Sequence, residues 1–329
     1  MLAIYATQFG SPAVLSLAEG PDIAPGPGQI SIDVTHAAVG LIDGLLRQGQ
    51  FKDMPGMPQP PFIPGLEVAG TVRALGEGVV GFTIGEKVVS MATGNGTGGY
   101  ASIYVASVHG VVSIDRTEID PALAVSVIPN AAMAHVALTR VAHLAPGESV
   151  LVHGALGGLA AAFPGMAKQL GASRVVGTVR TSKLPAAAKS RLPYDRIVDS
   201  TDFAEALGGE RFDVVIDAVG GAVRSSSFAL MKSGSRLIVA GNASGDWTHQ
   251  LGSNDLWLGS VAVMGFNAGA YLPSHPETVR PALDAAVRAV AAGLANTEVQ
   301  TLPFSQAALA HQRLESRALD GRMVLVPGE

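Results

Sequence analysis

The glycine-rich stretch at residues 150–172 has the spacing most typical of a chemical site in this 329-residue chain. It opens with the apolar run 150–152, which has the length of a buried strand. Gly154, Gly157 and Gly158 follow, and then an apolar segment with helical spacing. Such a turn can approach a pyrophosphate closely, and the next helix offers unpaired amides and its positive dipole end. The pattern fits a dinucleotide-phosphate site, although an ordinary strand-to-helix turn has the same glycines.

Composition excludes several classes of function. The net charge of −5 shows no basic stripe, so we expect no nucleic-acid partner. The chain has no cysteine, which removes disulfides, thiol nucleophiles and thiolate metal sites. We find neither a signal-like N-terminus nor an uninterrupted apolar run of about 18 residues, so we expect no membrane partner and a cytoplasmic location. A hydrophobic content of 48% is typical of a globular chain with an ample core.

The first part of the chain, to about residue 125, reads as short strands separated by turns. Residues 30–34 alternate apolar and polar side chains, which predicts a half-buried strand. Other strands are predicted at 68–75, 86–91 and 100–105. Residues 53–64 hold five prolines and residues 94–99 are rich in glycine, so both are predicted loops. Many short strands with little helix indicate a barrel-like β-domain.

From about residue 121, strands alternate with helical segments. A helix is predicted at 122–144, and strands at 150–152, 174–179, 195–198, 212–217, 236–241 and 260–266. This alternation predicts βαβ units and a parallel sheet, and the small residues at strand ends lie where such sheets bind ligands. The tail, with helices at 276–293 and 304–317 and a strand at 323–326, lacks this pattern and is assigned to the first domain.

Six segments together resemble a known family, the zinc-independent medium-chain dehydrogenases/reductases, and within it the quinone oxidoreductase-like branch. They are residues 64–70, 153–158, 167–172, 217–221, 241–245 and 310–322. Each segment is weak evidence alone, whereas their order and spacing are specific. The resemblance implies an α/β fold in which a Rossmann-type parallel-sheet domain, 125–266, is inserted into a GroES-like β-barrel domain, 1–124 and 267–329.

The resemblance also bears on zinc. Zinc-dependent relatives have a cysteine near the position of Gly40 and a histidine directly before the glutamate that matches Glu67. Here Gly40 and Leu66 occupy those positions, and neither side chain can bind a metal. We therefore predict no metal site. His153, at a predicted strand end, is interpreted as structural.

The residues at the end of the second parallel strand indicate whether the nucleotide is NADH or NADPH. NAD-specific sites usually hold a carboxylate there for the ribose 2′-hydroxyl. Residues 177–183 hold none, but include Arg180, Ser182 and Lys183, whose donors suit a 2′-phosphate. We predict NADPH; the alternative is a solvated basic loop. By resemblance, Lys183 matches a lysine that binds the 2′-phosphate, and Ser200 replaces a tyrosine.

The remaining site residues are implied by the resemblance. The predicted cofactor-binding residues are Asn130, Met133, Ala155, Gly157, Gly158, Leu159, Thr178, Arg180, Ser182, Lys183, Ser200, Val219, Gly220, Gly241, Asn242, Phe266, Asn267 and Arg322. The predicted nicotinamide lies in a cleft between the domains. No residue is assigned as the catalytic acid; the substrate-pocket candidates are Gly40, Asp43, Phe51, Tyr100 and His135. Tyr100 and His135 are interpreted as packing residues more readily than as proton donors.

We predict an NADPH-dependent oxidoreductase that transfers hydride to a quinone or an α,β-unsaturated carbonyl compound. Apolar replacements around the expected pocket favour a hydrophobic small-molecule electron acceptor. The alternatives are an enoyl reductase-like enzyme of a biosynthetic pathway and a non-catalytic NADPH-binding protein. The resemblance further implies a homodimer that pairs the edge strands predicted at 260–265, because an uncovered apolar edge strand invites aggregation.

The glycine-rich stretch is predicted to contain a local irregularity. Ala160 occupies the last position of the fingerprint, which tolerates alanine. Pro164 follows inside the predicted helix and cannot donate to the carbonyl of Ala160, a loss of about 3 kcal/mol unless the helix bends. We expect a bent or loosened helix at this point.

Overall fold

The computed structural model describes residues 1–93, 98–317 and 319–328, so most of the predicted loop 94–99 lies outside the described residues. The chain divides into two compact units. Unit 1 comprises Met1–Pro129, Val279–Val287 and Glu298–Glu329, and unit 2 comprises Asn130–Thr278 and Arg288–Thr297. Compared with the predicted domains, residues 267–278 and 288–297 group with the sheet domain instead of the barrel domain, and residues 125–129 group with the barrel domain instead of the sheet domain.

The described strands and helices are as follows. The strands are β1 Leu2–Ala6, β2 Leu15–Glu19, β3 Gln29–Val39, β4 Glu67–Leu75, β5 Lys87–Met91, β6 Ile103–Ser107, β7 Val111–Ser113, β8 Ser149–His153, β9 Arg174–Val179, β10 Arg196–Asp199, β11 Phe212–Asp217, β12 Met231–Val239, β13 Ala262–Gly265, β14 Val299–Pro303 and β15 Arg322–Val326. The helices are α1 Leu41–Gln48, α2 Pro121–Val136, α3 Phe163–Gln169, α4 Leu184–Ala187, α5 Phe203–Ala206, α6 Ala222–Ser226, α7 Ser253–Gly259, α8 Ala268–Ser274, α9 Val279–Ala291 and α10 Ala307–Glu315.

Unit 1 is built on a seven-stranded sheet in the order β14-β15-β3-β4-β5-β7, with β6 also paired to β3. The long strand β3 is central, because it pairs with β4, β6 and β15. Its apolar side chains, Ile30 and Ile32 among them, lie in the core. Ser31 is buried as well, so the predicted half-buried alternation underestimates how completely this strand is covered.

Unit 2 contains a six-stranded sheet in the order β10-β9-β8-β11-β12-β13, and all of its pairings are parallel. In order of appearance within the unit this is 3-2-1-4-5-6, the Rossmann order. The strand order reverses between β8 and β11, which places a switch point directly after the strand that leads into the glycine-rich turn. Together with the barrel-like sheet of unit 1, this confirms the predicted fold class.

Several local predictions differ from the structure. Tyr100 precedes β6 instead of belonging to it, because β6 begins at Ile103. Helix α1 was not recognised: it is only eight residues long, and its glycine at Gly44 weakens the helical signal. The strands β1, β2 and β14 were also missed. They are short and partly exposed, so their apolar pattern is weak.

The helix after the glycine-rich turn is interrupted, as predicted. A 3₁₀ turn at Ala160–Ala162 precedes α3, which begins at Phe163 and carries Pro164 in its first turn. Proline is tolerated there because a first-turn amide has no intrahelical acceptor. The amide of Phe163 donates to the carbonyl of Ala160 instead. The predicted irregularity is thus confirmed, and it avoids most of the energetic cost.

Gly165 is required by close packing within unit 2, and we expect Gly165→Ala to destabilise the protein by about 1–3 kcal/mol. A Cβ at this position would lie 2.2 Å from the carbonyl oxygen of Leu294. Urea unfolding measures the effect. Gly44→Ala in α1 is the matched control, since its Cβ would come no closer than 3.7 Å to Glu315. Equal stability of the two variants would contradict the close-packing explanation.

In the part of the chain that the structure describes, one helical segment, Pro121–Val141, is long and apolar enough to cross a membrane by length and composition. It comprises α2 and the π-helical turn at Ala137–Val141. Its most apolar window is 78% buried inside the protein, and buried core helices meet the same criteria.

Candidate functional site

The carboxyl edge of the unit 2 sheet brings together His153, Thr178 and Asp217. In the register of the sheet, His153 on β8 lies opposite Thr178 on β9 and opposite Asp217 on β11. All three side chains are fully buried. They form the floor beneath the loops that leave this edge, which is where ligands bind in open parallel sheets.

His153 is structural, in agreement with its interpretation from sequence. Its Nδ1 lies 2.9 Å from the Thr178 hydroxyl and its Nε2 lies 2.8 Å from the Ser227 hydroxyl. Ser227 donates its own proton to the carbonyl of Val223, so His153 Nε2–H is the donor to Ser227 and Nδ1 accepts from Thr178. Burial lowers the pKa of His153 to about 4. The Thr178 hydroxyl, which was predicted to bind the cofactor, therefore donates its hydrogen bond to His153.

The neutral state of His153 makes folding sensitive to acid. Its folded-state pKa of about 4 lies below its ordinary value of 6.5. As the pH falls, His153 is therefore protonated in the unfolded chain at a higher pH than in the folded protein. Stability is then lost as the pH falls from about 6.5 towards 4. We expect wild-type stability to fall by about 2 kcal/mol relative to His153→Gln between pH 7 and pH 5. Urea unfolding at both values measures this difference, and a pH-independent difference would contradict the buried neutral state.

Asp217 organises the loop after β11. One carboxylate oxygen accepts from the amides of Val219 and Gly220, both at 2.8 Å, and the other accepts from Arg224 Nε at 2.6 Å. Arg224 also reaches the carbonyl of Gly241 at 3.1 Å. Residues 217–221 form one of the motifs that carry the family resemblance. In the structure, the Asp217 carboxylate holds the loop that contains Val219 and Gly220.

The glycine-rich turn follows β8, and backbone hydrogen bonds fix its first residues. Gly154 adopts a positive φ of 71°, which favours glycine. The amide of Ala155 donates to the Thr178 carbonyl at 2.9 Å, and the amide of Gly157 donates to the Gly154 carbonyl at 2.7 Å. Gly157 is exposed, and Gly158 and Leu159 are partly exposed. The turn therefore presents backbone to solvent, as a phosphate-binding turn must.

The loop after β9 carries the predicted selectivity residues. Arg180 and Ser182 are exposed and Lys183 is partly buried. The structure adds a carboxylate that was not predicted from sequence, because Asp199 reaches this loop from the neighbouring strand β10. Hydrogen bonds from Thr181 and the Thr201 amide hold the pKa of Asp199 below its usual range. The backbone amide of Ser200 donates to Val179 at 2.7 Å.

The other predicted residues of unit 2 occupy separate elements. Gly241 and Asn242 follow β12, Phe266 and Asn267 follow β13, and Asn130, Met133 and His135 lie on α2. Asn267 caps α8 by accepting from the Gly269 amide at 3.0 Å. Burial, together with Arg288 and Arg140, lowers the pKa of His135, so its imidazole is neutral at neutral pH.

In unit 1 the structure brings together three of the five pocket candidates, Gly40, Asp43 and Tyr100. The Asp43 carboxylate accepts from the Gly40 amide at 2.8 Å and from the Tyr100 hydroxyl at 3.1 Å. The Tyr100 hydroxyl also lies 3.1 Å from His311 Nε2, and Arg47 Nε donates to His311 Nδ1 at 3.3 Å. The remaining candidates lie elsewhere: Phe51 follows α1, and His135 belongs to unit 2.

This buried chain of hydrogen bonds has one direction. Because Arg47 can only donate, His311 Nδ1 accepts, His311 Nε2–H donates to Tyr100, and Tyr100 donates to Asp43. Burial lowers the pKa of His311 to about 3, raises the pKa of Asp43 to about 6 and raises that of Tyr100 well above 10. Arg47 and His311 were missed as partners, since neither spacing nor residue type links positions so far apart in sequence.

Arg322, predicted to bind the cofactor, pairs with Glu67 within unit 1. Arg322 Nη2 lies 3.1 Å from Glu67 Oε2, and both side chains are mostly buried. Burial raises the pKa of Glu67 to about 7, against the opposing effect of Arg322. Among residues 1–93, 98–317 and 319–328, no group of three or more His, Cys, Asp or Glu side chains is arranged to hold a metal.

Comparison with known proteins identifies the family. The model of the alcohol dehydrogenase GroES-like domain matches residues 26–116, and that of a zinc-binding dehydrogenase domain matches residues 192–325. The quinone oxidoreductase of Lama guanicoe is 31% identical over 250 residues, which cover 74% of this chain and 73% of that protein. The chain belongs to the quinone oxidoreductase family. This confirms the resemblance found in the sequence. The protein is therefore a member of an oxidoreductase family.

Two further matches cover almost the whole chain. A 2-haloacrylate reductase from a Burkholderia species is 29% identical over 311 residues, with 92% of each protein covered. The structure of Escherichia coli quinone oxidoreductase, solved as a complex with NADPH, matches with a TM-score of 0.86 and 25% identity. That match covers 99% of this chain and 100% of the other.

Proposed function

We propose that this quinone oxidoreductase-family protein is an NADPH-dependent reductase of quinones or α,β-unsaturated carbonyl compounds. The observation that carries the proposal is the exposed glycine-rich turn at the switch point of a parallel sheet in Rossmann order. The basic and hydroxyl-bearing loop after β9 supports the phosphorylated nucleotide. The NADPH complex of the Escherichia coli relative supports the same choice.

The carboxyl edge of unit 2 fits a dinucleotide. Asn242 Nδ2 is buried and has no hydrogen-bond partner in the described part of the chain, so an amide donor is left over at this edge. Gly157 and Gly158 would receive the pyrophosphate, and Arg180 and Lys183 would bind the 2′-phosphate. When bound, NADPH supplies the hydride. The protein's part is to bind and orient the nucleotide at this edge.

Neither Tyr100 nor His135, the two candidates for a proton donor, is suited to deliver the proton that follows the hydride. Tyr100 is fully buried and directs its proton to Asp43. His135 is neutral at neutral pH because burial lowers its pKa. We therefore propose that solvent protonates the reduced product.

The proposed class of electron acceptor is supported by the substrate named for one relative and by the reactivity that this substrate shares with quinones. A 2-haloacrylate, named as the substrate of the Burkholderia relative, is an electron-poor alkene, and a quinone is also an electron-poor conjugated system. The alkene accepts a hydride at a carbon of its C=C bond, and the quinone accepts one at an oxygen or a ring carbon. By resemblance, Leu45 and Phe51 stand where some relatives have tyrosines, and these apolar replacements support a hydrophobic acceptor.

A coenzyme and acceptor panel tests this proposal. NADPH and NADH are titrated by fluorescence, and NADPH oxidation is then followed with quinones, enones, 2-haloacrylates and small aldehydes. We expect NADPH to bind more tightly than NADH and at least one quinone or activated alkene to be reduced. Turnover of aldehydes only would overturn the acceptor class, and tight NADPH binding without any turnover would favour a non-catalytic binder. Product analysis separates quinone reduction from enoyl reduction.

We further propose a cytoplasmic homodimer joined through β13. This strand ends the unit 2 sheet and pairs with β12 alone among the described strands. Trp257 and Leu258, on the helix just before it, are 76% and 74% exposed. Exposed apolar side chains beside a strand edge support an interface there. Light scattering should give twice the mass of one chain, and the mass of a single chain would contradict the proposal.

A further inference from the structure

The glycine-rich turn has an unexpected neighbour in Tyr194, which lies just before β10. Its hydroxyl is 3.0 Å from the carbonyl oxygen of Ala155 and 3.2 Å from that of Ala160. One phenol therefore touches both ends of the segment that carries Gly157 and Gly158. Burial raises the pKa of Tyr194 well above 10, so the phenol keeps its single proton, which it shares between the two carbonyl oxygens.

The contact at Ala160 supplies a hydrogen-bond donor that the helix of this sequence lacks. In a continuous α-helix the carbonyl of Ala160 would accept from the amide of residue 164. Residue 164 is proline and has no amide hydrogen. The carbonyl instead accepts from Phe163 in the tighter 3₁₀ geometry and from the Tyr194 hydroxyl.

The surroundings of Tyr194 hold the ring in place. A Cβ on Gly177 would lie 2.6 Å from Ala155 Cβ and 3.1 Å from the Tyr194 ring, so β9 leaves just enough room for the ring. The next residue, Asp195, accepts from the Val175 amide and from Lys168 in the last turn of α3, both at 2.6 Å. Tyr194 and Asp195 thus tie the beginning and the end of the same helical segment to the sheet.

We propose that Tyr194 is a positioning residue for nucleotide binding, whose hydroxyl replaces the hydrogen bond that Pro164 cannot make and holds the glycine-rich turn in its binding shape. The nucleotide part rests on the proposed function; the structural part does not. Removing the hydroxyl leaves the Ala155 carbonyl without this donor and loosens the turn before any ligand arrives. A preformed turn lowers the ordering cost that binding must otherwise meet.

Tyr194→Phe is the primary test, because it removes the hydroxyl and keeps the ring against Gly177. Hydrogen exchange of the amides at 155–163 is measured without nucleotide, and the NADPH dissociation constant is measured by fluorescence. We expect faster exchange in this segment and an NADPH dissociation constant raised about tenfold, the result of losing one buried hydrogen bond. The KM for NADPH should rise with little change in kcat. Tyr5→Phe, a tyrosine of β1 in unit 1, is the matched control and should change neither measurement.

Pro164→Ala provides the rescue. Its new amide can donate to Ala160, so Tyr194→Phe should weaken NADPH binding much less in the Pro164→Ala background than in the wild type. Unchanged exchange at 155–163 in Tyr194→Phe would overturn the positioning role, as would equal losses of affinity in the two backgrounds. If the wild type bound no NADPH, the proposed function would fail, and the exchange measurement would still decide whether Tyr194 holds the turn.

Discussion

Replacing Arg180 and Lys183 together by glutamate should weaken NADPH binding about a hundredfold and change NADH binding about threefold at most. Only NADPH carries the 2′-phosphate, and the substitutions exchange two donors for two repelling charges. Arg180 is exposed and Lys183 partly buried, so each contributes modestly and the double change is needed. Fluorescence titration of both coenzymes at low and high salt measures the effect, which should shrink at high salt.

The control for this experiment is Lys189→Glu, an exposed lysine soon after α4. It changes the net charge of the same surface without altering the loop after β9, so NADPH affinity should stay within about twofold of the wild type. Equal losses for NADPH and NADH in the double variant would contradict selectivity by this loop. The carboxylate of Asp199 does not reverse the expectation, because it is held by Thr181 and the Thr201 amide.

Arg47→Met should cost unit 1 about 3–5 kcal/mol of stability, which is a large part of the free energy of unfolding of a typical domain. The Arg47 side chain is fully buried and donates to the Gly10 carbonyl, to Glu315 and to His311. The substitution leaves the Gly10 carbonyl and His311 without this donor, whereas Glu315 keeps a hydrogen bond from Gln48. It also frees the His311 ring to adopt its other tautomer. The hydrogen bonds through Tyr100 to Asp43 and the Gly40 amide then lose their fixed direction.

Arg73→Met in the same unit is the matched control. Arg73 also forms ion pairs, with Asp22 and Asp33, but its side chain is 45% exposed. Exposed pairs contribute about 0–1 kcal/mol, so this variant should stay close to the wild type. Urea unfolding of both variants provides the comparison. Similar small losses would show that the buried hydrogen-bond chain does not stabilise unit 1.

The sheet of unit 2 illustrates what local pattern can predict. Strands β9 and β11 were predicted with their exact bounds, because mostly buried parallel strands are short, mostly apolar runs bounded by turn residues. The irregular helix at Pro164 was also predicted, since a missing amide is a property of the residue itself. The domain boundary was less accurate, because the division of α9 between two units depends on what each turn packs against.

The amino-acid sequence alone determined the fold class and the place of the glycine-rich turn, because these depend on residue types at fixed local spacing. It also carried the motifs by which the chain resembles its family. Only the tertiary structure decided how the polar groups pair. Tyr194 with the turn, Asp199 with Thr181, and Arg47 with His311 join residues that are 18 to 264 positions apart or sit on different strands. The physical reason is that a buried hydrogen bond depends on distance and direction in space, which the order of residues along the chain does not encode.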